Sequence, residues 1–350
     1  FHLTSPLSIR TKIIILSTLL SLFPIVVMRL VIYPTEKQAL QDALIQNLEG
    51  VGHKQAEFIV RWINERKADA KIVAENPNVP GVIYKSEGSE NFYRLLLHLN
   101  TIRDAYGYKE IFICDRFGDL KITTSTGKII ANLAGFEFFQ KALNGLTFVS
   151  NIAPSVVDLE NEYGKLELGL PTLYITTPVI YEHKIIGVVC MRLDVMEISR
   201  HMRNIRLGDT GETYLINSEG YMISESKYLK QIKDMGLVRQ RTTLELKVVN
   251  PKTKKLTRSA EECIKGKKGH DGAGYTDYRN TEVLGFWQWI PELDWGVIAE
   301  IDMHEGYGPV KKLHVIVVSI MSVMTLSVVA SAFFFGKKIS DPILYLTEVT

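Results

Sequence analysis

The sequence predicts a mixed α/β protein: two antiparallel sheet units in tandem on a long N-terminal helix, flanked by two transmembrane helices. Three observations predict it. Near each end lies an apolar stretch of roughly twenty residues, the length that crosses a bilayer. From Tyr108 onward the apolar period changes from the helical 3.6 to the alternation of strands. A strand, turn and strand pattern also occurs twice, as "YKEIFICDRFGDLKITTS" (Tyr108–Ser125) and within "LGDTGETYLINSEGYMISES" (Leu207–Ser226). Both copies place Glu before an apolar run, then Asp115 or Asn217, then Gly118 or Gly220. A unit used twice points to a fold used twice.

The first apolar stretch, "IIILSTLLSLFPIVVMRLVIY", occupies residues 13–33 after a predicted cytoplasmic N-terminus, residues 1–12. Arg29, its one charge, sits near its end and can reach headgroups, well below the ~3 kcal/mol cost of a mid-bilayer arginine. Pro24 is tolerable where neighbouring helices satisfy the freed carbonyl. The second stretch, residues 313–336, holds "VIVVSIMSVMTLSVVASAFFFG" between Lys311, Lys312 and Lys337, Lys338. A buried soluble helix is the alternative for either segment, and a cleaved signal peptide for the first; the apolar region is too long for the latter and no small-x-small site follows it. Arg10 and Lys12 ahead of the first span favour an inside N-terminus, which puts residues of about 34–312 outside the cytoplasm.

Thr35 follows Pro34 as a candidate cap for a stalk helix, residues 34–75, whose apolar positions recur at Leu40, Leu44, Leu48, Val51, Phe58, Trp62 and Val73. Gly50 and Gly52 weaken its middle, and Pro77 and Pro80 end it. Its stripe can bury itself on the body of the domain, pair with a second subunit, or both. Beyond Tyr108 come strands in "EIFICDRFGDLKITTS", a helix in "FEFFQKALNG", strands in "PTLYITTPVIYEHKIIGVVCMRLDV" and a linking helix in "MEISRHMRNI". The second copy closes on "WGVIAEID", an echo of "IGVVCMRLD". Turns as short as "DRFG" and "NSEG" join antiparallel neighbours.

Together, the long helix after the first span, "GDTGETYLINSEGYMIS", "GYTDYRN", "LDWGVIAEID" and the second span resemble the double Cache sensor domain of bacterial transmembrane receptors, with its two PAS-like units. The resemblance implies a membrane-distal unit at residues 76–200 and a membrane-proximal unit at 201–312. "GKKISDPILYLTEVT", within residues 337–350, is similar to the start of a HAMP linker, with Ile339, Pro342, Ile343 and Leu346 at its proline and heptad positions. Because residue 1 is Phe and the chain stops inside that stretch, a longer receptor is expected. The implied function is extracytoplasmic ligand sensing by a homodimer in the inner membrane. A histidine kinase is the first expected output, with a chemotaxis receptor, diguanylate cyclase or phosphatase as alternatives. A membrane-anchored adhesion or scaffold protein is the reading from another class.

Composition agrees with a globular chain on membrane anchors. With 46% hydrophobic residues and a net charge of +2, it is neither disordered nor a strong polyanion binder, so no nucleic-acid partner is expected. Cys114, Cys190 and Cys263 are too few and scattered for a disulfide framework, and the first two, inside apolar runs, read as buried thiols. The eight histidines show no close metal-ligand spacing, and GxSxG is missing, so neither metal, cofactor nor catalysis is expected. "IKGKKGHDGAG" lacks the lysine and hydroxyl ending of a phosphate loop, and the basic run "NPKTKKLTRSAEECIKGKKG" reads as a hydrophilic insertion.

The chemistry left is binding. In the resembled family, ligands sit between the distal sheet and the segment covering it. The amino-acid-binding subgroup carries Arg-x-Trp-Tyr there; this chain has "FEFF", with Phe136 in place of the arginine and Phe138 and Phe139 in place of the aromatics. The carboxylate clamp of that subgroup is therefore missing. Arg192 and Asp194, two apart on one strand, are candidates to hold a ligand carboxylate and amine; the alternative is a strand-end ion pair worth at most ~1 kcal/mol. Tyr174 and Thr176 share the next strand in the same way. Core packing is the alternative for Phe138 and Phe139. Tyr214, Asn217, Tyr275 and Tyr278 are expected to pack or turn the second unit.

Overall fold

In the computed structural model, residues 9–84, 88–125, 130, 132–161 and 164–348 are described. The chain divides into two compact units, Asn47–Asp302 and the pair of ends Phe1–Gln46 with Met303–Thr350.

Helix α1 (Ile9–Val27) leads through a π-helical turn, Met28–Ile32, into α2 (Tyr33–Ala74). The π turn lies just ahead of Pro34, which lacks an N–H and crowds the carbonyl four residues back, so the extra residue absorbs the misfit. Thr35 is therefore inside the helix and caps nothing; its hydroxyl donates to the Val31 carbonyl at 2.8 Å. From Asn47 on, α2 buries Leu48, Ala56, Ile59, Trp62, Ile63, Ala70 and Val73, a stripe rotated slightly from the expected one, with Phe58 only half-buried. Gly52 does not break the helix. A Cβ there would lie 2.3 Å from the Phe286 ring, so glycine lets the helix approach a strand closely.

Two helices that the apolar period did not reveal follow: α3 (Asn78–Tyr84), with Pro80 in its first turn, and α4 (Glu90–Tyr106). Ser89 caps α4 by accepting the Phe92 N–H, and Gly107 ends it at φ 73°. The first sheet comprises β1 (Glu110–Asp115), β2 (Leu120–Thr123), β3 (Phe148–Val149), β4 (Ala153–Pro154), β7 (Pro171–Tyr181) and β8 (Lys184–Leu193). Helix α5 (Glu137–Leu143) precedes β3, and a small hairpin, β5 (Leu159–Glu160) and β6 (Leu166–Glu167), precedes β7. The antiparallel order is β2-β1-β8-β7-β3, with β4 also on β7.

Helix α6 (Val195–Asn204) then leads to β9 (Glu212–Asn217), α7 (Leu229–Asp234), α8 (Arg258–Ile264), β10 (Gly269–Thr276), β11 (Glu282–Ile290) and β12 (Trp295–Asp302). The second sheet is antiparallel in the order β10-β11-β12-β9, and the bridge Ile216↔Met222 continues it past β9 as β2 continues β1. The repeated turn is the same in both. Asp115 Oδ1 accepts from Phe117 and Asp119, Asn217 Oδ1 accepts from Glu219 and Tyr221, and Gly118 and Gly220 take φ of 87° and 81°.

Each sheet has two packed faces. Ile111, Ile113, Val189, Met191 and Leu173 of the first sheet, and Leu215, Trp295 and Val297 of the second, join one core with α2. The opposite faces form separate cores, one under α5 with Phe112, Tyr174 and Cys190, the other with Tyr214, Tyr275, Trp287 and the α8 residues Ala260 and Cys263. The basic run is thus only partly an exposed insertion: its lysines are exposed, but its middle folds onto the sheet. Thr257 caps α8, and the helix buries Ser259, Ala260 and Cys263 on the sheet, while Gly266 lies just past its end with a φ of 77°. The three cysteines are buried free thiols.

Helix α9 (Met303–Glu348) packs against α1, where the Thr325 hydroxyl donates to the Ser21 carbonyl at 3.2 Å. Apolar windows in both reach a mean hydropathy of 2.3 with only 6% and 0% of each window buried. Side chains such as Leu16, Leu20, Phe23, Val323 and Leu326 are exposed, which a core helix of a soluble protein would have covered.

Candidate ligand-binding site

On the α5 face of the first sheet, period-2 alternation brings Glu110, Phe112, Tyr174, Thr176, Cys190 and Arg192 to the same side. Register sets their neighbours: Arg192 is the Cα partner of both Glu110 on β1 and Tyr174 on β7. The Arg192 Nε donates to Glu110 Oε2 at 3.3 Å, with both side chains mostly buried. No other hydrogen bond of this guanidinium is formed with the described residues, so its outer fork is unspent. The Tyr174 ring stacks on Phe138 with centroids 4.8 Å apart and meets Phe112 edge-on at 6.2 Å. Burial pushes its phenol up to about 12 against the pull of Arg192, so it stays a donor at any working pH. Like the arginine fork, that hydroxyl makes no hydrogen bond among the described residues.

Of the six residues expected at the site, the structure brings four into this cluster beside Arg192. Thr176 donates to the Phe138 carbonyl at 2.8 Å, which ties α5 to β7. Phe139 is wholly buried and packs the core. Asp194 departs from the expected shared strand face. Strand β8 ends at Leu193, and Asp194 caps α6 by accepting the Met196 N–H at 3.0 Å, with Arg200 at 3.1 Å and Lys109 at 3.6 Å. Residues 126–129 and 131, between β2 and α5, lie outside the described residues.

The second sheet carries different chemistry at the same register. Glu212 and Glu300 are Cα partners there, both buried. Ser226 donates to Glu212 at 2.7 Å and Tyr278 donates to it as well; Tyr275 and Ser259 donate to Glu300 at 2.6 Å and 2.9 Å. Burial and the nearby Asp277 charge lift the Glu300 carboxyl to about 7, and burial lifts Glu212 too. The Tyr214 hydroxyl is buried without a partner among the described residues. Gly285, at the register position of Tyr174, leaves the space that the Tyr275 phenol fills: a Cβ there would lie 2.0 Å from its oxygen. Sequence reasoning missed this pair because Glu300 alternates like a solvent-facing residue in "WGVIAEID", yet the strand is covered on both faces.

The sequence pattern of the Cache domain matches residues 36–310. The ligand-binding domain of the Campylobacter jejuni chemoreceptor Tlp3, solved with 4-methylisoleucine, is similar in fold, with 12% identity, TM-score 0.54, and coverage of 78% of this chain and 96% of that one. The same domain solved with L-valine gives 13% identity, TM-score 0.53, and coverage of 78% and 98%. The sensor domain of the V. cholerae histidine kinase DctB gives 13% identity, TM-score 0.49, and coverage of 75% and 98%. No curated protein matches the sequence.

Proposed function

The chain belongs to the Cache domain family, and on that premise we propose that it is the ligand-sensing and transmembrane portion of a bacterial receptor, binding a small molecule against Tyr174, Phe138 and Arg192 of its membrane-distal unit. One observation carries this reading. Two donors on neighbouring strands, the outer fork of Arg192 and the Tyr174 hydroxyl, have no acceptor among the described residues, the arrangement that a ligand carboxylate completes. The Tlp3 domain, of similar fold, was solved in complex with 4-methylisoleucine and with L-valine. Here "FEFF" lacks the arginine of the amino-acid-binding subgroup, and Arg192 supplies the cation from the sheet instead. Thr176 and Phe139 hold the wall, and Asp194 fixes the exit of β8 into α6.

The apolar helices α1 and α9 anchor the receptor in the inner membrane, with residues of about 34–312 extracytoplasmic and two copies pairing. A ligand that prefers one arrangement of the distal unit shifts the population of the second unit and of α9, which runs unbroken to Glu348 through the HAMP-like stretch. Histidine kinase is the output this reading favours, ahead of chemotaxis receptor or diguanylate cyclase. Calorimetry with a library of small carboxylates on the full chain in nanodiscs tests the site. A carboxylate that binds the parent should lose at least about tenfold in affinity with Arg192→Ala, a protein that stays folded. Unchanged affinity removes Arg192 from the site, and no binder at all favours a scaffold role.

A further inference from the structure

We propose a second binding site, for a multiply charged oxyanion such as a polyphosphate or polycarboxylate, in the cleft where the ends of β7 and β8 in the first sheet meet α6, α7 and the second unit. This cleft has a volume of about 890 Å³ and is lined by seven basic side chains against four carboxylates. The carboxylates are largely committed. Glu167 of β6 holds Arg241 of the second unit, Asp194 holds the α6 cap with Arg200, and Glu225 accepts from the Thr242 N–H and the Thr243 hydroxyl. Arg203 on α6 and Lys233 on α7 line the same cleft and form no ion pair among the described residues. The outer fork of Arg192, described above, borders it too.

Solvated surface lysines would give no such arrangement. A concave wall concentrates the potential of uncompensated charges, and guanidinium forks match the paired oxygens of carboxylates and phosphates. Three of the lining cations come from three places: Arg192, bound to Glu110 through Nε but open at its outer fork, from the first sheet, Arg203 from the linking helix, and Lys233 from the second unit. A singly charged ligand satisfies one of them. An oxyanion with two or more charges spans them and favours the arrangement in which Glu167 meets Arg241, so its occupancy biases how the two units sit. Only Arg192 is common to this cleft and the aromatic site around Tyr174, so either can fail without the other.

The test is calorimetry and thermal unfolding of the full chain in nanodiscs of uncharged lipid, with pyrophosphate and citrate as probes and sodium chloride matched for ionic strength. Saturable binding of either probe is expected, weakened about tenfold in the Arg203→Ala/Lys233→Ala double variant, whose exposed side chains leave the unfolding profile unchanged, and restored by Arg203→Lys/Lys233→Arg. Pyrophosphate alone assigns the site to phosphates; citrate alone assigns it to polycarboxylates. No binding beyond the chloride control, or binding undiminished in the double variant, overturns the proposal.

Discussion

The first sheet pairs Glu110 with Arg192 across β1 and β8, and the second pairs Glu212 with Glu300 at the same register across β9 and β12. The scaffolds share strand order, turn chemistry and a covering helix, so what differs is the side chain at single positions. In the first sheet an ion pair leaves donors facing outward beside Tyr174. In the second, Gly285 replaces that tyrosine, and the Tyr275 phenol enters the vacancy to donate to a carboxyl that burial holds partly protonated. On the proposed reading, the second unit supplies from its own chain the group that the first leaves for a ligand.

The sharpest way to break this comparison is to refill the vacancy. Gly285→Ala sets a Cβ against the Tyr275 hydroxyl and should cost about 1–3 kcal/mol, a Tm drop of several degrees in thermal unfolding, because neither β11 nor the buried ring can retreat. Gly52→Ala, against the Phe286 ring, should behave alike. An unchanged Tm for Gly285→Ala would show that the Tyr275 phenol does not occupy this space.

A smaller effect comes from pH. The Glu300 carboxyl is lifted from 4.5 to about 7, and Glu212 and Asp277 are lifted in the same direction. A carboxyl with a raised folded pKa binds its proton more tightly in the folded state, so its stabilisation is complete below about pH 4.5 and is lost as pH rises through about 7. Unfolding followed by circular dichroism should therefore show Tm falling by a few degrees between about pH 5 and pH 8, with a flatter profile in Glu300→Gln. A steeper profile in the variant would contradict the buried pair.

Smallest in stability but informative in binding is Tyr174→Phe. Its hydroxyl has no partner among the described residues, so the change should stay within about 0.5 kcal/mol in chemical denaturation while weakening a carboxylate ligand several-fold. A large loss of stability would mean that the hydroxyl serves the fold.

The repeated fold was legible in the residues, but the contrast between its two copies was not. The repeat is carried by Asp115 and Asn217 as turn acceptors and by glycines at positive φ, chemistry that local sequence dictates. The α6 cap was less so: Asp194 shares the spacing of Arg192, and only the end of β8 at Leu193 reveals that it belongs to the helix. Helices α3 and α4 escaped because Pro77 ahead of α3 and Pro80 in its first turn looked like a terminus, although Ser89 ahead of Leu95 and Leu99 is a capping signal with helical spacing. Helix α8 hid inside a basic run because its buried face is made of Ser259, Ala260 and Cys263, small residues that carry little apolar period. Long-range pairings such as Glu212 with Glu300 cannot be read from either strand alone, since register is a property of both.

The account rests on an open first unit and a self-filled second one. Electron density for the full chain purified from its native cells tests this most directly. A bound small molecule against Arg192 and Tyr174, with Tyr275 still on Glu300, is the expected result. A ligand between Tyr214 and Glu300 with the first unit empty would contradict it.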